Sequence, residues 1–118
     1  MGDETAVSGT FSSLFSKTRE CSSILPKENF SNVADLFRVL GDATRIHIMH
    51  LLLKNDELCV QELAEQTQMN ASAVSHHLRT LRQENLVKQR RSGKNVFYRR
   101  TDTHVLEIIQ LAMIHANH

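Results

Sequence analysis

At 118 residues, with two cysteines and a net charge of +1, the chain is long enough for one domain with its own core and too poor in Cys for a disulfide scaffold. It has no run of about 18 apolar residues and no charged-then-apolar leader, which argues against a membrane span or a signal peptide and for a reducing cytoplasm. The near-neutral total hides a division. Residues 71–101 hold eight Lys/Arg against one acid, Glu84, for a net +7, while the remainder holds six against twelve, for a net −6. Such segregation suits a surface for an anionic polymer on an otherwise neutral protein.

Residues 1–30 are rich in Ser, Thr and Gly, and Pro26 lies near their end. They are expected to form an N-terminal arm, partly disordered. The stretch 31–118 is expected to be the folded domain. From Ser31 onward Val33, Leu36, Phe37 and Leu40 recur at i, i+3, i+4, i+7, the spacing of a helix's inner face. Gly41 suits a position just past that helix, and Asp42 suits the N-cap of the next. The second helix carries Ile46, Met49, Leu52 and Leu53 inward. His47 and His50 lie on it at i, i+3, but no carboxylate or Cys accompanies them at a matching spacing, so they read as surface residues.

A short third helix follows over 60–66 with Leu63 and Ala64 inward. Cys59 stands in its N-cap slot and Glu62 three residues later, the arrangement of a capping box with a thiol in place of the usual hydroxyl. After Thr67-Gln68-Met69, Asn70 is a strong N-cap for a fourth helix reaching about Glu84. There Val74, Leu78 and Leu81 share the buried side, and Ser72, Ser75, His76 and Arg79 face the other way. His77 falls near the buried edge and reads as a packing residue. Residues 87–100 are β-rich around a Ser92-Gly93-Lys94 turn, a hairpin with a basic tip. The order is α-α-α-α-β-β-α, mainly α with a small β-hairpin.

Two helices joined by a short turn, the second with small polar and basic groups outward, make a helix-turn-helix. Short side chains such as Ser72, Ser75 and His76 let the helix backbone approach base edges in the major groove. Arg79, Arg82, Arg90, Arg91 and Lys94 are placed to neutralise phosphates. An ordinary helical bundle with a hairpin would not explain the charge segregation.

The last seventeen residues read as one helix of about four turns carrying two ligand pairs, Asp102/His104 and His115/His118. His104 and His115 share a helical face but lie roughly 16 Å apart along the axis, whereas metal–ligand bonds are about 2 Å. One copy cannot close a site; two antiparallel copies could. The spacing therefore predicts a symmetric homodimer with two equivalent inter-subunit sites. Three imidazoles and a carboxylate form a full tetrahedral shell suited to Zn²⁺ or Co²⁺, with Ni²⁺ and Cd²⁺ as further candidates. A full shell leaves no position for substrate water, so a zinc metalloenzyme is the weaker alternative. No general base or pocket for an organic small-molecule substrate is evident.

From about Ser31 the chain resembles the ArsR–SmtB family of bacterial metal-sensing repressors. The resemblance is carried by Leu40-Gly-Asp-Ala-Thr-Arg-Ile, Glu57-Leu-Cys-Val-Gln-Glu-Leu-Ala, Ser72-Ala-Val-Ser-His-His-Leu-Arg-Thr-Leu-Arg and Gly93-Lys-Asn-Val-Phe-Tyr. It implies a dimeric winged helix-turn-helix protein in the bacterial cytoplasm. Such a protein binds palindromic operator DNA when metal-free and releases it on binding metal, freeing genes for efflux or sequestration. The Asp-x-His and His-x-x-His pairs resemble the zinc- and cobalt-responsive branch. In one such relative a ligating His also hydrogen-bonds toward the end of the recognition helix, which by position corresponds here to His115 and the neighbourhood of Asn85. Other relatives bind softer ions through Cys from the arm and the third helix, which matches Cys21 and Cys59 with Glu62 adjacent. Gln61 occupies the slot of their second Cys. A thiol-based sensor of softer metals or redox state is the alternative on the same scaffold.

Overall fold

Helix caps set most of the boundaries. In the computed structural model, which describes residues 27–117, the elements are α1 (Lys27–Leu40), α2 (Ala43–Lys54), β1 (Leu58–Cys59), α3 (Val60–Thr67), α4 (Ala71–Gln83), β2 (Val87–Ser92), β3 (Asn95–Arg100) and α5 (His104–Ala116). Asp42 Oδ1 accepts the backbone N–H groups of Thr44 (2.9 Å) and Arg45 (3.1 Å) at the start of α2. Asn70 Oδ1 does the same for Ala73 N–H at 2.8 Å, starting α4. Each supplies an acceptor to amides that have no partner in their own helix.

The chain divides after Ala34, inside α1, and the two stretches are taken separately. In the first, the opening turns of α1 begin at Lys27, four residues ahead of the expected Ser31; Phe30 and Val33 are exposed by 64% and 50%. In the second, Phe37 is 56% exposed while Val39 and Leu40 are buried. Of the stripe predicted as an inner face, Leu36 and Leu40 meet the core, while Val33 and Phe37 are uncovered in the single chain. The stripe's spacing reports an apolar face without saying what covers it.

From Asp35 onward the core is built around α2, which meets α3, α4, α5 and β3. Ile48, Met49 and Leu52 are fully buried and Leu51 nearly so. The predicted Ile46 and Leu53 are only half-buried, so the helix is apolar on more than one side, as a central helix should be. Leu63 of α3 and Val74, Leu78 and Leu81 of α4 are fully buried, on the predicted faces. Leu106 and Ile109 seat α5 on the same core.

The hairpin expected over 87–100 belongs to a three-stranded antiparallel sheet of order β1-β3-β2. Its register runs from Val87↔Arg100 to Ser92↔Asn95, with Gly93 at φ +62° in the two-residue loop. A Cβ added at Gly93 would meet nothing within 4 Å, so glycine serves the left-handed backbone there and not a close approach. The extra strand β1 pairs Leu58 with Tyr98 and Cys59 with Phe97.

Candidate nucleic-acid interface and ligand pairs

The α3–α4 corner depends on one strained residue. Gln68 adopts the left-handed conformation (φ 59°, ψ 36°) that ends α3, and Thr67 Oγ1 donates to Leu63 C=O at 2.7 Å. Thr44 Oγ1 reaches Met69 Sδ at 3.3 Å, joining the turn to α2. With Val74, Leu78 and Leu81 inward, α4 presents Ser72, Ser75, His76, Arg79 and Arg82 to solvent, all exposed. Among the described residues no ion pair engages Arg79, Arg82, Arg91 or Lys94.

Arg90 is placed differently. Its Nε and Nη2 each donate to Glu57 at 2.9 Å in a bidentate pair, and its guanidinium carbon lies 5.0 Å from the centre of the Phe97 ring. The Arg90 hydrogen bonds hold the Glu57 carboxyl below the usual carboxylate range and raise the guanidinium's own value. Arg100 is also occupied, donating to Leu52 C=O at 2.6 Å and lying 3.8 Å from Asp56. These two basic residues tie the wing, β2–β3, to the end of α2. Sequence reasoning did not single out Glu57. Glu57 follows another acid, Asp56, and its pairing with Arg90, 33 positions on, left no signal in the local pattern.

At the other end of the domain, Asp102 Oδ1 accepts His104 N–H at 2.9 Å and lies 3.6 Å from His104 Nδ1, with the side chains 54% and 64% exposed. The structure therefore brings Asp102 and His104 together. His115 is exposed eleven residues on, on the same face as His104, nearly opposite buried Leu106 and Ile109 at 100° per residue. His118 lies outside the described residues. Among the described residues no three His, Cys, Asp or Glu side chains gather as a metal site.

Asn85, just past α4, takes a left-handed φ of 61°. Its carbonyl accepts Thr101 Oγ1 at 2.7 Å, and Leu86 C=O accepts Thr101 N–H at 3.1 Å. Among the described residues the partner at this position is Thr101, next to Asp102, where the resemblance pointed to His115. Cys59 is a free thiol, and its backbone N–H donates to Glu62 Oε1 at 3.0 Å. That bond lowers the Glu62 carboxyl below its ordinary value, so Glu62 acts in this chain as half of a helix cap. Cys21 lies outside the described residues.

Residues 42–89, from the Asp42 cap into β2, match the profile of the bacterial regulatory protein, arsR family. The chain is 37% identical over 91 residues to a cadmium resistance transcriptional regulatory protein CadC homolog of Staphylococcus aureus, covering 77% of this chain and 75% of that one. The chain belongs to the arsR family. Among solved structures it superposes on the AntR antimony-specific transcriptional repressor with a TM-score of 0.72 at 31% identity, over 80% of this chain and 85% of that one. It also superposes on a homodimeric winged helix-turn-helix DNA-binding domain from Mycobacterium bovis, a possible ArsR-family regulator (TM-score 0.69, 29% identity, 76% and 82% covered). As an arsR-family chain it is a transcriptional regulator of winged helix-turn-helix fold, not an enzyme. None of its described helices is long and apolar enough to cross a membrane.

Proposed function

We propose that the chain is a homodimeric, cytoplasmic repressor that binds palindromic operator DNA when metal-free and releases it on binding Zn²⁺ or Co²⁺. Two equivalent sites would lie between the α5 helices, each using Asp102 and His104 of one protomer with His115 and His118 of the other. The carrying observation is the pairing of Asp102 with His104 at 3.6 Å, while His115 shares the outward face of α5 too far along the axis to join them.

Dimerisation is supported by apolar side chains that the single chain leaves uncovered, Phe37 on α1 and Met113 and Ile114 on α5. The similar winged helix-turn-helix domain from Mycobacterium bovis is homodimeric, and a cadmium-resistance regulator homolog is among the similar proteins. A borderline-soft cation bound by imidazoles and a carboxylate would cross-link the two α5 helices and supply no redox chemistry. The chain's own residues supply the transmission. Asp102 follows Thr101, whose hydroxyl and amide hold the end of α4 at Asn85 and Leu86. A fixed α5 frame would thus constrain α4, whose partner copy must sit one helical turn of DNA away, about 34 Å. DNA and metal then weaken each other's binding by the same factor. The genes so released would serve metal efflux or sequestration.

The test is a titration against duplexes selected from a random pool by the metal-free protein, with Zn²⁺, Co²⁺, Ni²⁺ and Cd²⁺ added in turn. The wild type and a Cys21→Ser/Cys59→Ser variant should both release DNA with zinc, and His115→Ala should not. Zinc-driven release by His115→Ala would refute the α5 site. Loss of release in the thiol variant would move the sensor to Cys21 and Cys59.

A further inference from the structure

Reading DNA with α4 leaves Arg45, the end of the Leu40-Gly-Asp-Ala-Thr-Arg stretch, without a role. Its side chain is only 18% exposed and points to three elements at once. Nε donates to Val39 C=O in the last turn of α1 at 2.6 Å. Nη1 lies 4.0 Å from Asp42 Oδ2 at the cap of α2 and 3.3 Å from His77 Nδ1 on α4. A guanidinium has donors and no acceptor, so His77 must offer its Nδ1 lone pair and carry its proton on Nε2. His77 is half-buried, while its neighbour His76 is exposed on the outward face, with ring centroids 6.2 Å apart.

We propose that Arg45 is the positioning residue of the recognition helix, fixing through His77 the rotation of α4 about its own axis and so the aim of Ser72, Ser75 and His76. The need for such a residue follows from what else holds α4. Thr101 holds α4 only past its C-terminal end, at Asn85 and Leu86; along the helix Val74, Leu78 and Leu81 are aliphatic, and burial of apolar surface is non-directional. A hydrogen bond is directional, and His77 lies roughly 70° around the helix from the centre of that stripe. A rotation of about 15° moves a side-chain tip some 6 Å from the axis by about 1.5 Å, enough to break a base contact. Because Arg45 also grips the end of α1, the aim of α4 is referred to the α1–α2 corner.

The experiment measures affinity for a selected operator and for a random duplex, at several salt concentrations, with melting curves for each variant. His77→Leu keeps the bulk and removes the acceptor; His77→Asn puts an oxygen near the position of Nδ1; Arg45→Met keeps the stem and removes the donors. His77→Leu and Arg45→Met should each lower operator affinity about tenfold, leaving random-duplex affinity and the salt slope unchanged. The double variant should be no weaker than the weaker single one, and His77→Asn should recover to within about twofold. Additive losses, a parallel fall on random DNA, or an Asn variant no better than Leu would each overturn the proposal. If Arg45→Met fails to fold, the two His77 variants decide alone. The inference rests on α4 reading the bases, so Ser75→Ala is run alongside. An operator-to-random ratio unmoved by Ser75→Ala removes that reading and this inference with it. A ratio moved by Ser75→Ala and not by His77→Leu removes this inference only.

Discussion

Arg90 and Lys94 lie four residues apart on the wing, yet their surroundings differ, and if the wing binds DNA as proposed, salt dependence should separate them. Arg79, Arg82, Arg91 and Lys94 are exposed and outside any ion pair among the described residues. Arg90 already faces Glu57 through two hydrogen bonds. These four cations per protomer make eight per dimer. If each neutralises one phosphate, log affinity should fall against log salt with a slope of about −7. Between 50 and 200 mM salt that is a loss on the order of ten-thousand-fold. Lys94→Ala removes two of the eight contacts and should flatten the slope by about 1.8; Arg91→Ala should do the same. Arg90→Gln should weaken binding by loosening the wing while leaving the slope unchanged. Fluorescence anisotropy with a labelled duplex at five or six salt concentrations would measure all four proteins. If Arg90→Gln flattened the slope as much as Lys94→Ala, Arg90 would be releasing Glu57 to meet DNA, and the assignment would be wrong.

Two further outcomes concern the helix-turn-helix itself. Asp42→Ala should cost about 1 kcal/mol at neutral pH through the lost α2 cap. The Arg45 backbone N–H holds the Asp42 carboxyl below its ordinary 3.8, so this contribution is complete above pH 3.8 and is lost as pH falls through the lower folded value. Denaturation midpoints of wild type and variant should therefore draw together as pH falls below 3.8, and a gap that stays constant down to full acid denaturation would refute the cap's electrostatic part. Gln68→Gly should raise stability by as much as about 1 kcal/mol by relieving the left-handed strain at φ 59°. A lower melting temperature would show that the Gln68 side chain contributes more than its backbone costs.

Local chemistry explains what could be read from the sequence. Asp42 and Asn70 announce helix starts because an N-cap acts on amides two or three residues away, and Val74, Leu78 and Leu81 show their side by spacing alone. What escaped was set by partners far along the chain. Strand β1 has two residues, too few to show alternation, and depends on Phe97 and Tyr98. Glu57–Arg90 and Arg45–His77 span 33 and 32 positions, and no periodicity encodes such pairs. The exposed half of the α1 stripe was misjudged for a different reason. A face that waits for a second copy has the same spacing as one that meets the chain's own core, so Phe37 read as interior and is exposed. Asp102 and His104 were legible as a pair because two residues of separation left them little else to do.

The wing's fastening has a consequence for how this regulator could acquire new targets. Its root is held by the β1–β3 pairing, the Glu57–Arg90 fork and the Arg100 bond to Leu52. Its tip, at Gly93 and Lys94, is exposed, and a Cβ added at Gly93 would meet nothing within 4 Å. The wing is a cantilever, held at the base and free at the end, so on the proposed reading changes at the tip should alter DNA binding far more than the fold. Hairpin tips of altered charge or length could be exchanged on this root without reopening the core, which makes the wing the cheapest place from which to evolve or engineer a different footprint on DNA.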